Sequence, residues 1–120
     1  MSDNTEYLEI LSGKADGIEI VPTPPGEPSA MVDKNNIRET LDHCRYDRDL
    51  GFNMLVDMFA IDYNGEEPRF EIVYILRSQK TNARIVVKTR CGDEGIETVS
   101  DLWPAANFLE REIYDMYGLP

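Results

Sequence analysis

The sequence predicts an α+β fold of two layers, in which a three-stranded antiparallel meander packs against two main helices. One observation is the order of patterns, since a helical periodicity is followed by three β-rich segments and then by a second helical segment. The other is that tight turns, at Asn64-Gly65 and at 78–82, join the β-rich segments. The sequence leaves open whether an N-terminal strand extends this sheet.

The charge of the chain limits the classes of partner that it can bind. The 120 residues carry a formal net charge of −11, and residues 91–120 contain seven acidic residues but one basic residue. Such a chain repels nucleic-acid phosphates, so nucleic acid is not an expected partner. No apolar run reaches the length of a membrane span, and the N-terminus lacks a signal-peptide pattern. We therefore expect a cytoplasmic protein without direct membrane insertion.

Residues 1–30 are expected to form an N-terminal arm, and residues 31–120 to form the α+β domain. Within the arm, 5–11 is compatible with a short helical turn and 17–21 alternates like a short strand. Four prolines in 21–28 exclude a regular helix or a central strand there. This Pro-rich linker is expected to act as a semi-rigid spacer; the alternative is an extended ligand for an aromatic groove, through its two P-x-x-P spacings.

The first main helix is predicted at 34–48, with Asp33 as its N-cap and Gly51 as the stop signal beyond it. Apolar residues recur along it at intervals of four and three, which places them on one helix face. These residues are Ile37, Leu41 and Cys44.

Three strands are predicted next, at 52–61, 69–76 and 84–90. The first is apolar on both faces, which is typical of a strand covered on two sides, so we expect it in the centre of the sheet. The second is rich in β-branched and aromatic residues. The third alternates strictly and is expected to turn one face to water. That basic face consists of Arg84, Lys88 and Arg90.

The second main helix is expected to run to Tyr117 and to end at Gly118, with Ser100 or Asp101 as its N-cap and Pro104 in its first turn. At 100° per residue, one stripe about 100° wide is expected to face the core. It contains Leu102, Ala105, Ala106, Leu109, Ile113 and Met116.

A second face of this helix is expected to dock a partner. Aromatic residues with a polar end are typical of interfaces, because one end is apolar and the other can form a hydrogen bond. The face contains Trp103, Glu110, Tyr114 and Tyr117. The alternative is that the sheet and the loop at 92–100 cover this face within the domain.

The run Glu110-Arg111-Glu112-Ile113-Tyr114-Asp115-Met116-Tyr117-Gly118 resembles the signature of the 30 kDa subunit of respiratory complex I, the proton-pumping NADH:quinone oxidoreductase. Two further segments are similar to the pattern of that family: Trp103-Pro104-Ala105-Ala106, and the strand that begins with Phe52-Asn53-Met54-Leu55 and ends at Asp62-Tyr63. The resemblance covers about 33–118.

This resemblance implies a cofactor-free structural subunit of the peripheral arm, without an active site of its own. Such a subunit packs against the large quinone-site subunit and against iron–sulfur subunits, and is membrane-associated only through the complex. The equivalent subunit of a membrane-bound nickel–iron hydrogenase or of formate hydrogenlyase is an alternative that the motif does not separate. The interface candidates are Trp103, Glu110, Arg111, Glu112, Tyr114, Asp115 and Tyr117.

The sequence departs from the family pattern at its C-terminal end. Members of the family continue past the glycine with a basic segment containing histidine and proline, which wraps along the large subunit. This chain stops at Gly118-Leu119-Pro120. We therefore expect a C-terminally truncated member.

The sequence offers no motif for catalysis, a cofactor or a metal in this chain alone. Dinucleotide, Walker, nucleophile-elbow and C-x-x-C patterns are absent, and two cysteines cannot hold a four-thiolate cluster. Cys44 and Cys91 are expected as reduced, mostly buried thiols, with a disulfide as the alternative. A hairpin turn explains the acidic residues at 62–67. The rival hypotheses are an independent ligand-binding or regulatory domain, and a small enzyme with a pocket around His43 or Glu110.

Overall fold

The fold was obtained as a computed structural model, which describes residues 4–14, 17–21, 29–48, 50–92 and 95–117. Most of the predicted Pro-rich linker, 22–28, lies outside the described residues. None of the described helices has the length and apolar content needed to cross a membrane. The elements in chain order are α1 (Asn4–Lys14), β1 (Ile18–Val21), β2 (Ser29–Val32), α2 (Ile37–Tyr46), β3 (Met54–Asp62), β4 (Phe70–Arg77), β5 (Arg84–Cys91) and α3 (Ala105–Tyr117).

Five strands form one mixed sheet in the order β1-β2-β5-β4-β3. β3, β4 and β5 form the predicted antiparallel meander, while β2 pairs in parallel with β5 and antiparallel with β1. The predicted α+β class is therefore confirmed. The prediction that the first strand of the meander is central is wrong. β3 lies at an edge, because the sheet continues beyond β5, through β2 and β1, and not beyond β3.

The helices pack on one face of the sheet and share one core. Side chains alternate between the two faces of a strand, so Phe70, Ile72, Tyr74 and Leu76 of β4 all point to the same side. These four are at most 2% exposed and cluster with apolar side chains of the three helices. The helical members of the cluster are Leu8 and Leu11 of α1, Ile37, Leu41 and Cys44 of α2, and Ala106 and Ile113 of α3.

The first 30 residues contribute α1, β1 and the start of β2 to this architecture. Leu8 and Leu11 are completely buried, and the ring of Tyr7 packs edge-on against Phe52, with 5.6 Å between centroids. Lys14 at the end of α1 forms a salt bridge of 3.1 Å with Asp47. α1 is thus joined both to the sheet and to the end of α2.

α2 begins later and ends earlier than the predicted 34–48. The expected N-cap role of Asp33 is wrong, because Asn36 occupies the N-cap position. The Asp33 carboxylate instead accepts a hydrogen bond of 2.9 Å from the Asn35 backbone N–H, in the turn before the helix. Gly51, with φ of 61°, lies in the turn that follows α2, where a positive φ favours glycine.

Two arginines of α2 hold the segment that leads into α3. Arg38 forms a bidentate salt bridge with Asp101, with both N–O distances at 2.5 Å, and Arg45 donates to the Leu102 carbonyl at 3.1 Å. The N-cap predicted at 100–101 is wrong, because α3 begins only at Ala105. The arginine contacts give Asp101 a different role, which is to fix the direction in which the chain enters α3.

Candidate docking surface

Trp103 anchors the start of α3 inside the domain. Its side chain is 2% exposed, and its indole N–H donates a hydrogen bond of 3.1 Å to the Phe52 carbonyl, just before β3. Pro104 then separates Trp103 from the first helical residue, Ala105. The prediction that Trp103 shares an exposed face with the tyrosines is wrong, because it lies before the helix and packs into the core.

Glu110 also points into the domain, where it holds the loop before α3. Its carboxylate accepts hydrogen bonds from the Thr98 hydroxyl at 2.6 Å and from the Val99 backbone N–H at 2.9 Å. It borders a cavity of about 130 Å³ between α3, the loop and the sheet. Burial, and next the nearby Glu110 carboxylate, raises the pKa of Tyr74, whose buried hydroxyl has no hydrogen-bond partner among the described residues.

Tyr117 is half-buried at the end of α3. Its ring lies 5.5 Å from that of Phe70, and its hydroxyl donates to the Ala60 carbonyl at 3.5 Å. Both contacts are to neighbouring strands at the edge of the sheet, β4 and β3. Three of the predicted interface residues, Trp103, Glu110 and Tyr117, thus contact their own domain.

The remaining predicted interface residues are exposed on the far side of α3, together with two apolar residues that were not predicted for the interface. Phe108, Tyr114 and Met116 are 65%, 56% and 72% exposed, which is unusual for large apolar side chains on one 13-residue helix. We call this surface the α3 outer face; it comprises Phe108, Arg111, Glu112, Tyr114, Asp115 and Met116.

The core stripe predicted for α3 is partly wrong. Leu102, Ala106 and Ile113 are buried in the core as predicted, although Leu102 lies before the helix, and Leu109 is partly buried against the core. Ala105 and Met116 are exposed, against the prediction. Residues i and i+2 of a helix lie about 160° apart around its axis, so Phe108 is nearly opposite the buried Ala106. An aromatic residue opposite the core stripe was therefore the sequence signal for this part of the outer face.

The described side chains that could bind a metal ion or take part in catalysis are spread over the fold. In the described ranges, no three His, Cys, Asp or Glu side chains come together as metal ligands. His43 is half-buried on α2, and no disulfide joins the buried Cys44 and Cys91. The carboxylate of Asp62 accepts hydrogen bonds of 2.7 and 2.8 Å from Arg69, and these lower its pKa.

The fold and its surface define the class of this protein, which is a small α+β domain whose last described helix exposes aromatic and charged side chains. The sequence profile of the family "Respiratory-chain NADH dehydrogenase, 30 Kd subunit" matches residues 30–120. This chain belongs to that family.

Curated relatives carry the same assignment. The NADH-quinone oxidoreductase subunit designated C from Citrifermentans bemidjiense is 44% identical over 96 residues, which are 78% of this chain and 58% of that protein. Its counterpart of the same name from Hyphomonas neptunium is 39% identical over 95 residues, covering 78% of this chain and 47% of the relative. The chain thus spans about half the length of the curated relatives it matches.

Solved structures show the same fold. The trypsin-resistant fragment (1–134) of Nqo5 superposes with a TM-score of 0.81 at 31% identity, covering 96% of this chain and 92% of the fragment. A chain of the membrane-bound sulfane sulfur reductase, an archaeal respiratory membrane complex, superposes with a TM-score of 0.79 at 26% identity. That match covers 97% of this chain and 68% of the other.

Proposed function

We propose that this chain is a cofactor-free structural subunit in the peripheral arm of a proton-pumping NADH:quinone oxidoreductase. It docks through the α3 outer face onto the quinone-site subunit and the iron–sulfur subunits of the complex. On this proposal the chain lies in the cytoplasm and is attached to the membrane only through the complex. Its curated relatives are named as subunits of NADH-quinone oxidoreductases, which supports the choice of host complex.

The observation that carries the docking role is the exposure of the α3 outer face. Tyr114 and Met116 lie on opposite flanks of the helix, with Phe108 and Arg111 between them. None of these four side chains is buried in the domain, so the fold does not require the apolar character of Phe108, Tyr114 and Met116. Exposed aromatic and arginine side chains are the residues most enriched where proteins bind one another.

The test is affinity isolation of the full-length chain from its native cell, followed by identification of the co-isolated subunits. The wild-type chain should recover quinone-site and iron–sulfur subunits. Tyr114→Ala combined with Met116→Ala should recover little of either, while the thermal unfolding of the purified chain stays unchanged. Tyr46→Ala is the matched control, because Tyr46 is 64% exposed on α2, away from α3.

Two results would contradict the proposal. One is that the wild-type chain is isolated without any redox subunit. The other is that the purified chain binds flavin, iron or nicotinamide stoichiometrically, since a subunit that carries its own redox group is not a purely structural one. Loss of the fold in the double variant would instead show that these side chains are needed within the domain.

A second host is supported by the structural likeness to the archaeal membrane-bound sulfane sulfur reductase. Its 26% identity is lower than the 39% and 44% found for the two NADH-quinone oxidoreductase relatives. The alternative is therefore the equivalent subunit of a related membrane-bound redox complex, such as a nickel–iron hydrogenase or formate hydrogenlyase. The same isolation separates the two, because the co-isolated subunits identify the host.

A further inference from the structure

The cavity of about 130 Å³ beside α3 combines apolar walls with a single carboxylate. It lies between α3, the loop before it and the helical face of the sheet, and Glu110 is the one charged side chain among its described lining residues. The apolar walls are formed by Met58, Ile72, Ile96 and Ile113. A carboxylate that is partly withdrawn from water in this way is stabilised by hydrogen bonds and by a counter-charge.

The contacts of Glu110 within the domain supply hydrogen bonds but no counter-charge. Each carboxylate oxygen has two acceptor positions, and Glu110 uses one on each oxygen, for the Thr98 hydroxyl and the Val99 backbone N–H. All twelve lysines and arginines and the one histidine of this chain lie within the described ranges, and none of them forms an ion pair with Glu110. A cationic side chain that pairs with Glu110 therefore has to come from another chain.

A second polar group beside this cavity lacks a partner in the described part of the chain. Tyr74 of β4 lies opposite Met58 in the strand register and two residues after Ile72 on the same face, so it adjoins two of the cavity walls. Its side chain is fully buried, and its hydroxyl has no hydrogen-bond partner among the described residues. Burial, and next the Glu110 carboxylate, raises the pKa of Tyr74, so the hydroxyl lies within electrostatic range of that carboxylate. A buried hydroxyl without a partner is costly, and an incoming donor removes that cost.

The cavity adjoins the α3 outer face. Glu110 and Tyr114 are four positions apart, which places them about 40° apart around the helix axis. Glu110 is half-buried and Tyr114 is 56% exposed, so the helix surface changes from cavity wall to outer face between them. Residues four apart on a helix are separated by about 5–6 Å at Cβ, so a partner that covers Tyr114 has Glu110 within reach of a long side chain.

From these observations we propose that the cavity receives an arginine side chain of the subunit that covers the α3 outer face. The apolar stem of the arginine packs against Ile96 and Ile113, and its guanidinium pairs with the Glu110 carboxylate and donates to the Tyr74 hydroxyl. Arginine fits better than lysine, because its planar, weakly hydrated guanidinium has five N–H donors and can serve a carboxylate and a hydroxyl together. The inference rests on the proposed function for the source of the partner, and it adds the chemistry by which that partner is recognised.

The first test measures how full-length variants compete with the wild-type chain for incorporation into the complex, together with urea unfolding of each purified chain. Tyr74→Phe should weaken incorporation several-fold while the isolated chain stays at least as stable as wild type, because the lost hydroxyl has no partner in the described domain. Glu110→Gln should weaken incorporation by about tenfold or more, because it leaves the partner's guanidinium without its counter-charge. The matched control is Glu97→Gln, which removes one charge from an exposed residue of the loop before α3 and should incorporate like wild type.

Tyr74→Phe decides the test even where Glu110→Gln affects folding. Glu110→Gln changes a side chain that also holds the loop, so its unfolding curve shows whether its loss of incorporation can be attributed to the partner. Tyr74→Phe removes one buried oxygen and leaves the ring in place. Incorporation of Tyr74→Phe at the wild-type level would overturn the inference, whatever Glu110→Gln shows, because the inferred contact includes both groups.

The second test needs no variant. A water-soluble carbodiimide and glycine ethyl ester are applied to the wild-type chain alone and to the assembled complex, and the labelled carboxylates are quantified. Glu110 should be protected several-fold in the complex, whereas the exposed Glu97 should be labelled equally in both samples. Equal labelling of Glu110 would overturn the inference. A carbodiimide cross-link from Glu110 to a lysine of the partner would assign the cavity to lysine and overturn the choice of arginine.

The outcomes separate this inference from the proposed function. If the Tyr114 and Met116 double variant is lost from the complex while Tyr74→Phe and Glu110→Gln incorporate like wild type, the docking role stands and the cavity contact does not. If the wild-type chain is isolated without any redox subunit, the proposed function fails and the inference fails with it.

Discussion

Replacing Trp103 by alanine tests whether this residue supports the fold or offers a docking surface. The side chain is 2% exposed, and burial of this extent makes an aromatic-to-alanine change cost about 3–5 kcal/mol. The change also removes the indole donor from the Phe52 carbonyl, and an unsatisfied buried acceptor costs about 1–3 kcal/mol. Since these effects overlap, we expect a loss of about 4–6 kcal/mol in the free energy of unfolding.

That loss is large against the total stability of a domain of this size, which is typically about 5–15 kcal/mol. The assay is urea or thermal unfolding of the purified full-length chain, followed by circular dichroism. Trp103→Phe should lose less, about 1–3 kcal/mol, because it retains most of the ring but not the N–H donor. Tyr114→Ala should stay within about 0.5 kcal/mol of wild type, because Tyr114 is 56% exposed.

The order of these three variants decides the question. A Trp103→Ala chain that unfolds at the same urea concentration as wild type, yet fails to enter the complex, would refute the reasoning. It would mean that the indole contributes to a partner's surface and not to the core. A Trp103→Phe chain as unstable as Trp103→Ala would show that the hydrogen bond, and not ring volume, dominates.

Three further predictions concern other parts of the fold. Glu110→Ala should destabilise the chain by about 1–3 kcal/mol in urea unfolding, because two hydrogen bonds to the loop are lost, whereas equal stability of Glu110→Ala and Glu112→Ala would contradict this. Gly17→Ala should lower the melting temperature, because φ is +75° and a Cβ would collide with an asparagine at the start of α2, while Gly13→Ala in α1 has open space and should raise it. Hydrogen bonds to an arginine of α2 lower the pKa of Asp101, so its contribution to the free energy of unfolding is present above the ordinary pKa of about 3.9 and is lost as the pH falls through the lower folded value. The stability difference between wild type and Asp101→Asn should therefore shrink during acid titration below pH about 4. A constant difference would argue against the pair.

Local patterns predicted the elements of this fold better than their arrangement. The alternation at 84–90 and the turn at Asn64-Gly65 correctly indicated a hairpin meander, because side-chain period and turn chemistry are local properties. The edge position of β3 depends on pairing between β5 and Ser29–Val32, a four-residue strand with no strong signal of its own. The burial of Trp103 likewise depends on a carbonyl 51 residues away, which no helical wheel contains.

The signature run at the end of the chain serves the domain and its outer surface at the same time. Glu110 and Ile113 face inward, and Arg111, Glu112, Tyr114 and Asp115 face outward, so neighbouring positions have different roles. A helix places successive residues about 100° apart, which forces this alternation on any motif that must both pack and dock. Substitutions along the run should therefore divide with helical period into those that unfold the domain and those that leave it folded. Only the second group reports on the partner, so a loss of complex by itself does not identify a docking residue.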